Sequence, residues 1–203
     1  MEERVRSTMD NLRKNGFEVK FFDNIKEAKN DIIRQIQVDD TVGIGGSMTV
    51  FDMNIYEELK EKGINVFWHW KVPDEEKMQA RNNADKAKIY ITSTNAITED
   101  GKLINMDGVG NRVSSMFYGH EKIYIIAGIN KICKDYEGAR NRIRNIAAPK
   151  NAERLKLDTP CTITGKCVDC SSPSRICNVE VILHKKPSNA NVFIFLVNEE
   201  LGY

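Results

Sequence analysis

The sequence predicts an α/β protein with a Rossmann-like, mostly parallel sheet and helices on both of its faces. Three observations lead to that prediction. Short apolar runs alternate with segments whose apolar residues recur every three or four positions. Glycine, aspartate or asparagine stands at most of the boundaries, as is typical where helices and strands begin and end. The chain of 203 residues is long enough for one domain with a substantial core.

The N-terminal elements show this alternation first. A helix is expected over residues 2–15, where apolar residues recur at helical spacing before Gly16 ends the pattern. FEVKFF follows as a short strand at 17–22. Asp23 or Asn24 then caps a second helix. Its apolar residues share one face: Ile25, Ala28, Ile32 and Ile36.

The middle of the chain repeats the pattern. TVGIGG (41–46) is apolar and leads into a glycine-rich turn, so we expect a buried strand there. The same criteria predict a helix over 50–62 ended by Gly63, a strand over 64–70, a helix from Asp74 to about Lys86, strands over 88–94 and 121–128, and a helix from Asp135 to Ala147.

Two segments interrupt the alternation. Residues 97–110 carry two Asp-Gly pairs around a short apolar run, which predicts a small inserted lobe. Near the C-terminus, VEVILHK (179–185) and NVFIFLVN (191–198) are expected to form a hairpin at the sheet edge. The segment between Pro149 and Pro160 is a linker too modest to divide the chain. We therefore expect a single domain over 1–203, with a four-cysteine loop at 159–178.

Composition excludes several classes of partner. Thirty basic and 29 acidic residues leave a net charge of +1, which predicts no general affinity for nucleic acid or anionic membranes. No apolar stretch approaches the roughly 20 residues that span a bilayer. The charged N-terminus resembles neither a signal peptide nor a transit peptide. We expect a cytoplasmic protein.

Four cysteines lie close together in the predicted loop. Cys161, Cys167, Cys170 and Cys177 have the spacing C-x5-C-x2-C-x6-C, interrupted by Pro and Gly. Such a loop buries little apolar surface, and four thiolates on an iron–sulfur cluster or a zinc ion would stabilise it. Free or redox-active thiols and a disulfide remain alternatives, although a reducing compartment disfavours the disulfide. Cys133 lies outside the loop and is expected in the core.

Two polar segments are candidates for a ligand site. Gly45, Gly46, Ser47 and Thr49 follow the strand at 41–46, where backbone N–H groups and hydroxyls suit a phosphate or carboxylate. The alternative is a tight turn with a helix cap. The segment matches neither a Walker loop nor a dinucleotide fingerprint, so no nucleotide, flavin or NAD motif is evident.

The second segment follows the strand at 88–94. Asn95 lies at its carboxyl end, where open α/β sheets place ligands. The loops beyond supply Glu99, Asp107, Asn111 and Arg112, a set that suits a small acid gripped by the arginine. Turn chemistry and a surface charge are the alternative. A structural role for His69 is at least as plausible as a place in the pocket.

Three stretches resemble the lactate-utilisation (LUD) domain family: GIGGSMT, ITSTNAITEDGKLINMDGVGNRVSSMFYG and IYIIAGINKI. The similarity extends from about residue 10 to the C-terminal EELGY. It implies a fold similar to the sugar-phosphate isomerase and CoA-transferase superfamily. By the same resemblance, one set of residues would face the ligand: Gly45, Gly46, Ser47, Thr49, Asn95, Glu99, Asp107, Asn111 and Arg112.

The resemblance also implies a function, because some family members oxidise lactate together with iron–sulfur subunits. In that hypothesis Arg112 holds the carboxylate of a hydroxy or keto acid, and Glu99 or Asp107 moves a proton. The cysteines hold a cluster that passes electrons to a partner subunit. The alternatives are an enzyme similar to sugar-phosphate isomerases with structural zinc, and a ligand-binding subunit. Catalysis by the chain alone stays open, and the superfamily analogy is compatible with a homodimer.

Overall fold

The computed structural model describes residues 2–203, in which ten strands form two sheets. The strands are β1 Glu18–Phe22, β2 Thr41–Ile44, β3 Asn65–Phe67, β4 Ile89–Ser93, β5 Ala96–Thr98, β6 Leu103–Asp107, β7 Lys122–Gly128, β8 Ile132–Cys133, β9 Val179–Leu183 and β10 Asn191–Val197. The helices are α1 Glu3–Lys14, α2 Ile25–Arg34, α3 Met48–Met53, α4 Ile55–Glu61, α5 Lys77–Asp85, α6 Asn111–Ser114, α7 Tyr136–Arg142, α8 Ala148–Arg154 and α9 Pro160–Thr164.

The larger sheet confirms the predicted α/β class. Its six strands run parallel in the order β1-β10-β7-β4-β2-β3. The central strands are apolar and buried on both faces, as parallel strands covered by helices must be. Along β7, Tyr124 and Ile126 face the core under α2 to α4, whereas Ile123 and Ile125 face the core under α1 and α6.

The smaller sheet contains the predicted inserted lobe. Its strand order is β8-β5-β6-β9, and β5 pairs with β6 as an antiparallel hairpin. Gly101 allows the tight connection because its φ is +82°, a left-handed value that glycine adopts without strain. The hairpin leaves the main sheet at the end of β4. The two ends of the hairpin, at residues 94–95 and 106–107, therefore lie beside the carboxyl ends of the parallel strands.

The predicted C-terminal hairpin is wrong, because β9 and β10 pair with different sheets. β10 lies between β1 and β7 in the main sheet, and five of its seven residues are buried. β9 instead pairs antiparallel with β6 and keeps exposed residues at its start. A continuous apolar run belongs inside a sheet that helices cover on both faces, whereas a partly exposed strand fits the smaller sheet.

Two other elements differ from their predicted form. The helix expected over 50–62 is divided at Asn54, whose φ of +53° is left-handed and ends α3 before α4 begins. The strand expected over 64–70 stops at Phe67, and the residues from Trp68 to Trp70 form a turn. The turn at His69 and Trp70 and the start of α3 border the same cavity.

The helices of residues 2–203 include none that is both long and apolar enough to span a membrane.

Candidate functional site

A cavity of about 590 Å³ opens at the carboxyl ends of β2, β4 and β7. Gly46 and Ser47 border it after β2, Asn95 after β4, and Lys131 after β7. This is the edge at which open parallel sheets bind their ligands. The cavity therefore lies where the sequence places the candidate site.

The glycine turn contributes to the cavity through three of its four predicted residues. Gly46, Ser47 and Thr49 line it, whereas Gly45 lies behind the wall. A Cβ at Gly45 would come within 2.8 Å of the Thr92 hydroxyl and 3.1 Å of the Arg112 side chain. Gly45 is thus required for close packing.

Arg112 lines the cavity, but the protein uses all five of its N–H donors. Its side chain is 9% exposed. The acceptors are Asp107 Oδ2 at 3.1 Å, Ser93 O at 3.1 Å, Asn105 Oδ1 at 2.8 Å, Asn95 Oδ1 at 3.1 Å and Met106 O at 2.9 Å. Arg112 therefore joins the end of β4 to the β6 strand. It contributes positive charge to the cavity, while no N–H remains for a bidentate contact with a ligand.

Asp107 and Asn95 also accept hydrogen bonds from backbone groups near the cavity. Asp107 Oδ1 accepts hydrogen bonds from the backbone N–H groups of Val109 at 3.1 Å and Gly110 at 2.7 Å. Asn95 Oδ1 accepts from the backbone of Met106 at 2.8 Å. Both residues line the cavity, as does Asn111. Their arrangement holds the wall in place around the ligand volume.

Glu99 lies outside the cavity. It forms an ion pair with Arg4 of α1 at 2.6 Å, and its side chain is 38% exposed. Its backbone N–H donates to the carbonyl of Cys133. The structure therefore places Glu99 on the α1 side of the hairpin and does not bring it to the other candidate residues.

Lys131 is a site residue that the sequence reasoning missed. It is 3% exposed and lines the cavity, where its Nζ lies 2.9 Å from both Thr49 Oγ1 and Ser93 Oγ. Burial, followed by the nearby Arg142 and Arg112, lowers the pKa of Lys131 to about 7. A lysine three residues after the apolar run IYIIAG was the available signal, since it must lie near the carboxyl end of a central strand.

The outer wall adds further positive charge. Arg154 lies with its guanidinium 4.6 Å from the centre of the Trp70 ring and donates from Nε to the Tyr203 hydroxyl at 2.7 Å. Arg81 Nε is buried and has no hydrogen-bond partner within residues 2–203. Burial, and then the positive charges of Arg81 and Lys77, lower the pKa of His69 to about 4, so this imidazole is neutral at pH 7.

The cavity is consequently cationic although the whole chain is nearly neutral. Arg81, Arg112, Lys131 and Arg154 line it, and Asp107 is its one carboxylate within the described part of the chain. Asp107 is already paired with Arg112. The arrangement therefore favours an anionic ligand over a neutral or cationic one.

The four predicted cysteines lie around a second, smaller cavity. Arg175 closes their loop by donating to the carbonyls of Cys177 and Cys170. Burial, and then the three neighbouring thiols, raise the pKa of Cys177. Four cysteine sulfurs are a suitable ligand set for zinc or an iron–sulfur cluster. As placed, however, no three His, Cys, Asp or Glu side chains between residues 2 and 203 form a coordination group.

The two cavities share a wall. Ala148, Ile176 and Cys177 line both of them. Gly108, at the end of the inserted lobe, packs against the backbone of Ile176, where an added Cβ would meet the carbonyl oxygen at 3.2 Å. A group held by the cysteines would thus lie next to a ligand in the larger cavity.

Comparison with known proteins agrees with this architecture. The sequence matches the LUD domain over residues 5–197. A DUF162 family protein from Deinococcus radiodurans has a similar structure, with a TM-score of 0.56, 8% identity and 96% of each chain covered. No curated protein sequence matches significantly.

Two ribose 5-phosphate isomerases show a weaker structural likeness. The enzyme from Plasmodium falciparum gives a TM-score of 0.35 at 17% identity, covering 54% of this chain and 52% of that one. Ribose 5-phosphate isomerase A from Neisseria gonorrhoeae gives 0.36 at 15% identity, covering 55% and 54%. Scores this low carry no argument about the site. The sequence match over residues 5–197 shows that the chain belongs to the LUD domain family.

Proposed function

We propose that this protein binds a small hydroxy or keto acid in the cationic cavity and holds an iron–sulfur cluster in the adjacent cysteine loop. It would then act as a component of lactate or related small-acid metabolism. The observation that carries this proposal is the wall shared by the two cavities, to which Cys177 contributes. A bound acid and a bound cluster would be neighbours there, as electron transfer requires.

Acid binding is assigned to the cations with unused donors. Lys131 has two hydroxyl partners, and Arg81 lines the cavity without an ion pair in the described residues, so neither charge is neutralised by a carboxylate hydrogen bond there. Arg112 supports the site differently. It holds Asn95 and Asp107 in the cavity wall and adds its charge to the field. Contacts between such cations and a carboxylate are stronger than neutral hydrogen bonds.

The cysteine loop offers a suitable environment for a cluster. Four thiolates around iron and sulfide carry net negative charge, and two arginines lie beside them. Arg175 contacts the loop backbone, and a hydrogen bond with Cys167 raises the pKa of Arg144. A bound cluster would supply one-electron transfer to a partner subunit. Zinc in the same place would instead stabilise the loop without redox chemistry.

Metal analysis tests the cluster directly. Protein purified without oxygen should contain iron and acid-labile sulfide in similar amounts, and should show visible absorption that dithionite bleaches. The matched control is Cys133→Ala, which removes a buried thiol outside the loop and should retain the iron. Zinc alone, or loop thiols free of metal, would exclude electron transfer through this loop.

Ligand binding tests the cavity. Lactate or pyruvate should raise the melting temperature of the purified protein, because a ligand that binds only the folded state stabilises it. Acetamide, which is small and neutral, serves as the control and should leave the melting temperature unchanged. Equal responses to both compounds would contradict the assignment of the cavity to small acids.

A non-redox enzyme acting on a phosphorylated sugar, with structural zinc, is the second candidate. The cavity of about 590 Å³ exceeds the needs of a three-carbon acid. Arg81 and Arg154 on the outer wall could hold a second anionic group. Turnover of ribose 5-phosphate by a zinc-containing preparation would favour this candidate. Its absence, with iron present, would favour the redox component.

A further inference from the structure

We infer that Lys131 is a nucleophile that forms an imine with the carbonyl carbon of an α-keto acid bound in the cavity. The inference rests on the proposed function, because it concerns the same cavity and one of the two acid classes assigned to it. It adds a covalent step that neither the family nor the proposed electron transfer requires.

The position of Lys131 suits a nucleophile. The residue ends the short helical turn Ile129–Lys131 that follows β7. Its side chain is buried and lines the cavity at the sheet edge. Nζ lies 2.9 Å from Thr49 Oγ1 and 2.9 Å from Ser93 Oγ. A neutral amine that donates one N–H to each hydroxyl keeps its lone pair free for the cavity. The two hydroxyls thus fix the orientation of the attacking nitrogen.

The surroundings also favour the neutral amine. Burial and the charges of Arg142 and Arg112 act in the same direction on its pKa, and Asp52 is the opposing charge. Both hydrogen-bond partners of Nζ in the described chain are hydroxyls, so no carboxylate contact holds the proton on it. Desolvation beside other cations is an established way to activate a lysine. At pH 7 a substantial fraction of Lys131 is therefore unprotonated.

Ser93 links the Lys131 amine to the positively charged Arg112. Its hydroxyl accepts from Lys131, while its carbonyl accepts from Arg112 Nη1 at 3.1 Å. In an α-keto acid the carboxylate is bonded to the carbonyl carbon. Arg112 can attract the carboxylate through its charge alone, because none of its N–H groups is free. A carboxylate on this side of the cavity brings the carbonyl carbon toward Nζ. A hydroxy acid bound in the same way has no carbonyl carbon to attack.

The proposed step is balanced without an oxidant or reductant. The Nζ lone pair forms a C–N bond as the carbonyl π electrons move to oxygen, which takes up a proton. The nitrogen loses a proton, and the resulting carbinolamine expels water to give the imine. Thr49 and Ser93 contact Nζ and can relay these protons. The product is a cationic iminium when protonated, and it withdraws electrons from the former keto carbon.

Reductive trapping tests the inference. The full chain is incubated with pyruvate and sodium cyanoborohydride, and its peptides are analysed by mass spectrometry. The peptide containing Lys131 should become heavier by one pyruvate minus one oxygen atom. Lys131→Arg should abolish this label while keeping the positive charge. Lys134→Arg is the matched control, because Lys134 is exposed and close in sequence; it should label as the wild type does.

The melting-temperature response to pyruvate distinguishes failure of the imine inference from failure of the proposed acid site. A response without label at Lys131, or label spread evenly over exposed lysines, would overturn the imine and leave acid binding intact. No response and no label would overturn the proposed acid site and the imine with it. Melting of the Lys131→Arg protein without ligand confirms that the variant folds, so that loss of label reports on chemistry.

Discussion

Arg112 Nε lies 3.1 Å from Asp107 Oδ2, and both side chains are about nine-tenths buried. Within residues 2–203, Asp107 is the one acidic side chain that lines the cavity, and this ion pair already neutralises it without a ligand. It also fixes the loop between β6 and α6, because Asp107 Oδ1 accepts two backbone hydrogen bonds there. The other charged side chains that line the cavity within residues 2–203 are therefore cations, which favours an acidic ligand.

Replacement of Arg112 should affect folding before it affects binding. The residues alone suggest that Arg112→Ala removes acid binding and leaves the fold intact. The five hydrogen bonds of the guanidinium argue otherwise, because Asp107 would be left buried and unpaired. We expect a loss of about 3–5 kcal/mol in the free energy of unfolding, measured by urea titration. Arg13→Ala, at an exposed ion pair, should cost about 0–1 kcal/mol.

Arg81 should behave in the opposite way. Arg81→Gln should weaken binding of the acid about tenfold, because it removes a charge-assisted contact. The melting temperature of the free protein should not fall, since Arg81 Nε is buried without a partner in residues 2–203. Calorimetric titration with pyruvate checks the affinity. Lys86→Gln, exposed just after the same helix, is the control; equal loss in both variants would indicate only a general effect of charge.

The cysteine loop should lose its metal group when one of its thiols is replaced. Cys170→Ser is expected to reduce bound iron or zinc severely, because four-cysteine sites depend on every ligand. Metal content per chain is the measurement. Cys133→Ala should retain the full amount, since Cys133 is buried between the lobe and α7. Full retention of metal by Cys170→Ser would remove Cys170 from the ligand set.

Lys131 should make stability depend on pH. Below pH 7 the lysine is protonated in the folded and unfolded states, and the folded state bears the full cost of burying the charge. Between a folded pKa of about 7 and the ordinary value of 10.5, only the unfolded chain keeps the proton. The contribution of Lys131 to the free energy of unfolding therefore rises by about 1.4 kcal/mol per pH unit across that range.

Comparison with Lys131→Met isolates this contribution. The variant cannot titrate at this position, so its stability advantage over the wild type should be largest near pH 6 and shrink by about pH 9. Urea unfolding at both pH values measures the difference. Lys134→Met, at an exposed site, should show a constant difference from the wild type. A constant difference for Lys131→Met as well would mean that Lys131 keeps an ordinary pKa.

The sequence predicts those parts of the site that are local in the chain. Gly46, Ser47 and Thr49 adjoin one strand and Asn95 adjoins another, so their place at the carboxyl edge follows from the α/β pattern. Lys131 was missed because its place in the site depends on contact with Thr49, which is distant along the chain. Glu99 shows the converse. It belongs to the recognised motif, but the hairpin turns it toward Arg4 and away from the cavity.

The C-terminal strands show a similar limit. Adjacent apolar runs with a short connection resemble a hairpin, and local pattern does not reveal that β9 and β10 enter separate sheets. Burial on both faces distinguishes them, and that depends on which helices cover each strand. Asn54 was missed for a related reason: asparagine tolerates a left-handed φ, and only the packed structure shows that it adopts one.

The central place of β10 governs how the protein is assembled during synthesis. β1 reaches the main sheet only through β10, with Glu18 opposite Phe193. A chain emerging from the ribosome can form helices and the β3-β2-β4-β7 part of the sheet early, but β1 must wait for residues made long afterwards. Such distant pairing slows folding and leaves strand edges exposed meanwhile. Nascent chains released before β10 should therefore depend on chaperones, although both their glycine turn and Lys131 have already been made.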